Sequence, residues 1–316
     1  MTTPLVSIGL PVYNGQDTIL VSLQSLLDQS YRNIEIIICD DLSTDLSFLI
    51  VSKLASHDKR IRLIQNSSNK GAAFNFNAVL ALANGKYFFW HAQDDFRYPH
   101  YVAKCVELLE AHPSAVFCHS RYIDSIDSTA VQTLRPSIIR SIEYLVSIKP
   151  VAIRFLLAYI SSIGSTAFYG FFLRSALLRT PLWVNYIGSD ISIFNSILLQ
   201  GDILSLPEIL FEYRARSTVR DKLKHATFLD PNNLCNWKTP RLTFFFHTLL
   251  LVAQSPISLK SKCILLTFLF IYEAYDLLVR FFLFPIGLFS PFLSRSLRSF
   301  FMFQSSMPLT TGYSDH

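Results

Sequence analysis

The chain is poor in charge and lacks the short signatures of several common protein classes. Of its 316 residues only 16% are charged, against 51% hydrophobic and 14% aromatic. A composition this apolar excludes a disordered chain and is greasier than that of an ordinary soluble enzyme. Cysteine is scarce. Cys39, Cys105, Cys118, Cys235 and Cys263 are odd in number, scattered, and form no CxxC pair. They read as buried thiols in a reducing compartment, with neither zinc nor disulfides. No GxxxxGK[ST] and no GxGxxG occurs, so phosphate-loop ATP hydrolysis and dinucleotide binding have no support. The opening Met-Thr-Thr-Pro lacks the basic and apolar regions of a signal peptide, which places the expected catalytic part in the cytoplasm.

What charge there is lies unevenly. Residues 1–215 carry 17 basic and 18 acidic groups, whereas residues 216–316 carry 11 and 5. A basic, apolar C-terminal third points to an anionic surface, and membrane fits better than nucleic acid because apolar residues dominate there. Within residues 241–303 the runs 242–253, 263–272 and 281–293 are each too short to span a bilayer, which needs roughly 20 apolar residues. Lys260, Lys262, Arg280, Arg295 and Arg298 punctuate them. The pattern is read first as helices lying in the membrane plane, ahead of a packing appendage or oligomer interface, and last as a true span.

The first two thirds alternate. Apolar runs at residues 5–10, 34–39, 60–64 and 86–90 read as strands. Amphipathic segments between them read as helices, the first from an Asp17 cap to Leu27 with Leu20, Leu23, Leu26 and Leu27 on one face. In the first run Pro11-Val12-Tyr13-Asn14-Gly15 is read as the break that ends the strand. Strands alternating with helices imply βαβ units and a mostly parallel sheet, whose ligands bind at the strands' C-terminal ends. Tyr13, Asp40, Asp41, Asn69, Lys70, Asp94 and Asp95 all fall just after a strand or in the loop that follows one. Asp94 and Asp95 carry the clearest chemistry. Two adjacent carboxylates at the end of an aromatic strand repel and lose hydration, but they suit a divalent cation bridging to substrate phosphates. The alternative is an exposed acidic turn capping the helix that starts near Pro99.

PVYNG, EIIICDDLSTD, NKGAAFNFN and the strand ending in AQDD, in that order, resemble family 2 of the inverting glycosyltransferases with the GT-A fold. The resemblance covers residues 4 to 215. It implies an α/β, Rossmann-like three-layer sandwich with a mostly parallel central sheet, to which the patterning of the last third adds a C-terminal helical, membrane-facing appendage. The implied division is a transferase domain over 1–215, with a nucleotide-sugar half at 1–98 and an acceptor half at 99–215, then the apolar region 216–316. By position, Pro11, Tyr13 and Asp41 match residues that hold the nucleobase, Tyr13 by stacking and Asp41 by accepting a base N–H. Asp40 matches a supporting carboxylate. Asp94 and Asp95 match the acids that touch the ribose and ligate Mn²⁺ or Mg²⁺, while Ala92 replaces the segment's first Asp. Asp190 matches the general base, its alternative being a helix cap. Arg214 and Arg216 follow a Tyr-Arg closing strand and are candidates to meet the diphosphate.

The implied activity is metal-dependent, inverting transfer of a sugar from a nucleotide-diphosphate donor, UDP by default. The acceptor would be a polysaccharide, glycolipid or polyprenyl-linked hydroxyl at the inner face of the cell membrane, with no nucleic acid involved. The rival from another class is a non-catalytic, membrane-attached sugar-nucleotide binder that keeps the fold. Ala92 supports it, and the joint presence of Asp41, Asp94, Asp95 and Asp190 opposes it.

Overall fold

The computed structural model describes residues 3–124, 143, 145–148, 150–161, 167–184, 188–214 and 240–278. Arg216, residues 162–165 and the apolar run 281–293 lie outside them.

β1 (Val6–Val12), β2 (Ile34–Asp40) and β3 (Ile61–Gln65) run parallel, and β4 (Tyr87–Trp90) pairs parallel with β1 on its other side. α1 (Ile19–Leu27), α2 (Ser47–Ala55) and α3 (Ala72–Ala81) make the crossovers. β1 is buried along its whole length, as an interior parallel strand covered on both faces must be. Successive side chains on a strand face opposite ways. Ile36, Ile38 and Phe89 accordingly join Leu23 and Leu26 of α1 on one face of the sheet. Ile37, Cys39, Phe88 and Trp90 join Phe76 and Val79 of α3 on the other. The result is three layers. Trp90 anchors the second face, stacked on Phe168 at 4.3 Å with its Nε1–H donated to the Phe76 carbonyl at 2.9 Å.

Beyond β4 the sheet is mixed. β7 (Phe171–Leu173) is antiparallel to β4 and to β6 (Ala115–Asp124), β6 is parallel to β8 (Asp202–Tyr213), and β5 (Phe96–Arg97) is antiparallel to β8. The order is β3-β2-β1-β4-β7-β6-β8-β5. The expected parallel pairing therefore runs through β1–β4 and recurs between β6 and β8, with antiparallel β7 as the link between the two. β5 is only two residues long and has no run of its own to announce it. Its pairing with β8 makes the acidic pair a tight turn between two strands.

Three local expectations change. Pro11 lies inside β1, opposite Cys39, and does not end the strand. The Val12 carbonyl accepts from Asp41 of the β2 side, whereas the Gly9 carbonyl accepts from His91 of the β4 side, so Pro11 shares the Gly9 side. β4 ends opposite Gly9, and the missing N–H of Pro11 breaks no ladder bond. α1 starts after Thr18 rather than at an Asp17 cap, and Leu20 is 51% exposed. Its buried face is Ile19, Ser22, Leu23, Ser25 and Leu26, because the small serines let the helix sit close against the turn after β4. The run 114–118 reads from the sequence as a short strand, whereas β6 runs on to Asp124.

On the second face α5 (Val151–Ser161) and α6 (Ser189–Leu198) pack together. Buried Arg154 of α5 ties them by donating to the Leu198 and Gly201 carbonyls at 3.1 and 2.7 Å. α7 (Pro240–Gln254) and α8 (Leu259–Leu278) form a hairpin against them through Phe155, Tyr159, Leu199, Val252, Leu265 and Leu269. Among the described residues no helix is long and apolar enough to cross a membrane.

Candidate active site

The strand ends gather the site. Pro11 is buried in β1, and Tyr13 follows it, half-buried. The Tyr13 backbone is held at both ends by one side chain: its N–H donates to Gln93 Oε1 at 2.9 Å, and Gln93 Nε2 donates to its carbonyl at 3.0 Å. Asn14 adopts a left-handed φ of 49°, a conformation Asn tolerates better than most residues. Its Oδ1 accepts the Thr44 N–H at 2.9 Å, and Gly15 N–H reaches Ser47 Oγ at 2.7 Å. The loops after β1 and β2 are thereby stitched together.

The adjacent acids at the end of β2 do different work. Asp40 turns the chain: it accepts from Ser43 N and Oγ at 3.1 and 2.5 Å and from Gln65 Nε2 at 3.0 Å. Asp45 does the same one turn on, accepting the Ser47 N–H at 2.9 Å. The Asx-type turns of this segment are therefore made by Asp40 and Asp45 and not by Asp41. Asp41, buried, reaches across to the loop after β3. Its Oδ1 accepts from Asn66 Nδ2 at 2.7 Å and Lys70 N at 2.9 Å, and its Oδ2 accepts from Gly71 N at 2.8 Å. A carboxylate has about four acceptor positions. Three are used here, which leaves one for a ligand N–H. Leu42 beside it has φ 59°, a conformation that costs a non-glycine residue roughly 1–2 kcal/mol and that marks this turn as strained.

Between β4 and β5 the chain turns on Ala92, whose carbonyl accepts from Ser22 Oγ at 2.9 Å and from Asp95 N at 3.2 Å. The turn exposes part of Asp94 and buries Asp95 almost completely. Asp95 Oδ1 accepts the Arg214 N–H at 3.1 Å, while Oδ2 is buried with no hydrogen-bond partner. Burial pushes the Asp95 carboxyl well above the usual carboxylate range, Asp94 pushes it further, and Arg97 and Arg214 oppose the rise. An unsatisfied buried carboxylate oxygen beside a second carboxylate is costly alone and fits a divalent cation. Among the described residues no three His, Cys, Asp or Glu side chains form a metal cluster. The fit is therefore of the open kind, in which one or two carboxylates share a cation with phosphate oxygens and water.

Asp190 lies in the first turn of α6, after Gly188 in a left-handed conformation at φ 96°. The approach to that turn is held by a second amide clasp, between the Asn77 side chain and the Trp183 backbone at 2.8 and 3.0 Å. Tyr169 joins Asp190 to the acidic pair. Its phenol is pushed well above its ordinary range by burial, then by Tyr213, and then by the carboxylates of Asp95, Asp94 and Asp190. Coulombic influence falls with distance, so these three acids, from segments some 95 residues apart in sequence, all lie within electrostatic reach of one hydroxyl. The Tyr169 carbonyl accepts from Arg97 at 2.6 Å, and the Arg97 guanidinium lies 3.6 Å above the Phe211 ring. Arg214, a candidate diphosphate contact, turns its side chain to Glu212 at 3.0 Å.

Gln93, Asn77, Arg97 and Tyr169 were not legible as site residues. Gln93 and Asn77 act on backbone far away in sequence, which no local pattern signals. Arg97 has the one available hint, a charged residue inside an aromatic run. Truncating Gln93 to Ala removes two hydrogen bonds of about 0.5–1.5 kcal/mol each from the loop carrying Tyr13. Nucleotide affinity is expected to fall about 10-fold, measured by titration calorimetry with UDP, with the fold unchanged by circular dichroism. Unaltered affinity would show that the clasp does not position Tyr13.

The family model for glycosyl transferase family 2 matches residues 7–177, more than half of the chain. An Escherichia coli protein, UDP-Glc:alpha-D-GlcNAc-diphosphoundecaprenol beta-1,3-glucosyltransferase WfaP, is 40% identical over 118 residues, or 37% of this chain and 46% of that protein. The chain spans under half the length of the curated relatives it matches first, 40% and 46%. Among solved structures, S. aureus TarS 1–349 in complex with UDP-GlcNAc aligns at a TM-score of 0.56 and 16% identity, over 82% of this chain and 69% of that one. Mannosyltransferase PcManGT from Pyrobaculum calidifontis, in complex with GDP-Man and Mn²⁺, aligns at 0.52 and 15%, over 97% and 87%. At these identities the likeness is one of fold.

Proposed function

Because the chain belongs to glycosyl transferase family 2, we propose that it moves a sugar from a nucleoside-diphosphate donor to a hydroxyl of a lipid-linked glycan, inverting the anomeric centre. The observation that supports the reading is that Asp94, Asp95 and Asp190 all raise the Tyr169 phenol electrostatically. A transfer of this kind needs acids at two places: by the donor diphosphate and by the attacking hydroxyl. The working unit is residues 1–215, and the chain beyond it includes the α7–α8 hairpin.

Tyr13 stacks on the nucleobase, with Pro11 shaping the strand end beneath it. Asp41 accepts a base N–H with its remaining position, and Asp40 keeps the turn that presents Asp41. Asp94 and Asp95 meet the ribose and diphosphate and hold Mn²⁺ or Mg²⁺. When bound, that cation supplies positive charge against the diphosphate. Asp190 accepts the proton of the acceptor hydroxyl. The acceptor oxygen bonds to the anomeric carbon while the bond to the departing diphosphate breaks and its electron pair leaves with the phosphate oxygen. Attack opposite the leaving group inverts the centre.

WfaP, a UDP-Glc-dependent transferase acting on GlcNAc-diphosphoundecaprenol, and TarS, solved with UDP-GlcNAc, support UDP as the nucleotide, and WfaP supports a polyprenyl-diphosphate acceptor. The corresponding location is the inner face of the cell membrane. The test is incubation of the purified chain with Mn²⁺, UDP-sugars and a synthetic GlcNAc-diphosphate-lipid, with the product analysed by NMR. One sugar added in a β linkage from an α-linked donor is expected. A retained configuration would refute the mechanism. Nucleotide binding without transfer to any acceptor, under conditions that load the cation, would favour a sugar-nucleotide-binding scaffold.

A further inference from the structure

We propose that the outward face of the α7–α8 hairpin docks on an anionic lipid surface. The face is apolar where a helix turned to water should be polar. Phe246, Leu250, Ile264, Phe270, Ile271 and Tyr275 are each between 50% and 63% exposed. Ile264, Ile271 and Tyr275 recur at intervals of seven and four, which places them on one helical stripe. The inward stripe of α8 is a different one: Leu265, Leu269 and Glu273 are buried against the rest of the chain. The two helices present their apolar residues side by side, since the Phe270 ring packs edge-on against Phe245 at 5.4 Å and Phe245 lies 5.6 Å from Phe246. Contiguous exposed apolar surface of this sort marks an interaction site.

Charge selects the occupant. From Phe244 to Leu278 the sequence contains Lys260 and Lys262 and two acids, Glu273 and Asp276. Glu273 is buried and accepts the Tyr159 hydroxyl at 2.9 Å, so it offers nothing outward. The stretch 279–316 contains Arg280, Arg295 and Arg298 against one acid, Asp315, so basic groups outnumber acids over the whole segment. A second copy of this face, or the chain's own continuation, would bring like charge to Lys260 and Lys262. A leaflet of anionic headgroups brings the opposite charge together with an apolar interior, and aromatic residues such as Tyr275 suit that boundary.

The same hairpin touches the site. Phe244 stacks on Tyr159 at 5.5 Å, and a Cβ at Gly188 would lie 3.4 Å from the Phe244 ring. Gly188 precedes Asp190 by two residues, so docking would set the Asp190 turn relative to the lipid surface. This functional consequence rests on the lipid-linked acceptor proposed above, whereas the docking itself does not.

The test is co-sedimentation of the full chain with vesicles of phosphatidylcholine alone and of phosphatidylcholine mixed with phosphatidylglycerol. Binding to the anionic vesicles is expected to be about 10-fold tighter than to the neutral ones and to weaken with salt. The Ile264→Glu, Ile271→Glu double variant should lose about 10-fold in vesicle affinity while keeping its UDP affinity with Mn²⁺. The pair Ile264→Gln, Ile271→Gln gives the same comparison if the charged variant does not fold. Equal binding to both vesicles, or to neither, overturns the proposal. So does a lipid-free dimer that both variants dissolve, since that makes the face a contact between copies. Vesicle binding with no nucleotide binding would leave the docking standing and refute the donor site.

Discussion

Asp190→Asn is expected to lower kcat by about 10²–10⁴-fold, the usual contribution of a positioned general base, with the donor still bound. Each tenfold loss corresponds to about 1.4 kcal/mol of activation free energy, so the substitution removes roughly 3–5.5 kcal/mol from the chemical step. The side chain keeps its size and its place in the first turn of α6, after the left-handed Gly188. It loses only the ability to take a proton. Donor affinity should hold because Asp190 is assigned to the acceptor hydroxyl and to none of the donor contacts given to Tyr13, Asp41, Asp94 and Asp95. Steady-state kinetics beside a UDP titration separate the two effects. Turnover at the parent rate would remove Asp190 from the mechanism, whereas loss of UDP binding would move it to the donor site.

Asp95→Asn is expected to make the ligand-free chain more stable and to abolish cation-dependent nucleotide binding. Asp95 is 1% exposed, its Oδ2 has no hydrogen-bond partner, and burial holds its carboxyl above the usual range. A carboxyl raised in the folded state favours folding when protonated, and that contribution is lost as pH rises from the unfolded value, about 4, through the raised folded one. Asparagine is neutral at every pH and can still accept the Arg214 N–H. The variant should therefore melt above the parent at neutral and alkaline pH, by about 2–4 °C for each kcal/mol gained in a chain of this size. The gap should close as the pH falls and the parent's Asp95 protonates. UDP binding in Mn²⁺ and in EDTA should then become equal in the variant. A lower melting temperature at neutral pH would mean that the Arg97 guanidinium needs the Asp95 charge more than burial penalises it. Unchanged Mn²⁺ dependence would assign the cation to Asp94 alone.

Much of the donor side was legible because parallel βα units place information locally. An apolar run followed by polar residues marks a strand's C-terminal end, and Tyr13, Asp40, Asp41, Asp94 and Asp95 all sit at such ends. What adjacent residues do there was not legible. Asp40 and Asp41 are neighbours of the same type, yet one closes its own turn and the other holds a loop some 29 residues away. The difference follows from the alternation of a strand's side chains and from the strained Leu42 after them, both properties of the folded backbone.

The order of apolar runs, turns and acids in the chain was enough to specify a three-layer α/β fold, the sheet edge proposed for the donor, and the acids available there. Those features depend on contacts within some 30 residues, so they leave periodic traces. The reversal of the sheet at β7, the two-residue β5 that closes the acidic turn, the amide clasps of Gln93 and Asn77, and the placing of Asp190, Asp94 and Asp95 within electrostatic reach of Tyr169 were decided only in three dimensions. Each depends on segments about 80 to 120 residues apart, whose approach is set by packing of the sheet and its helices. No spacing along the chain records that packing.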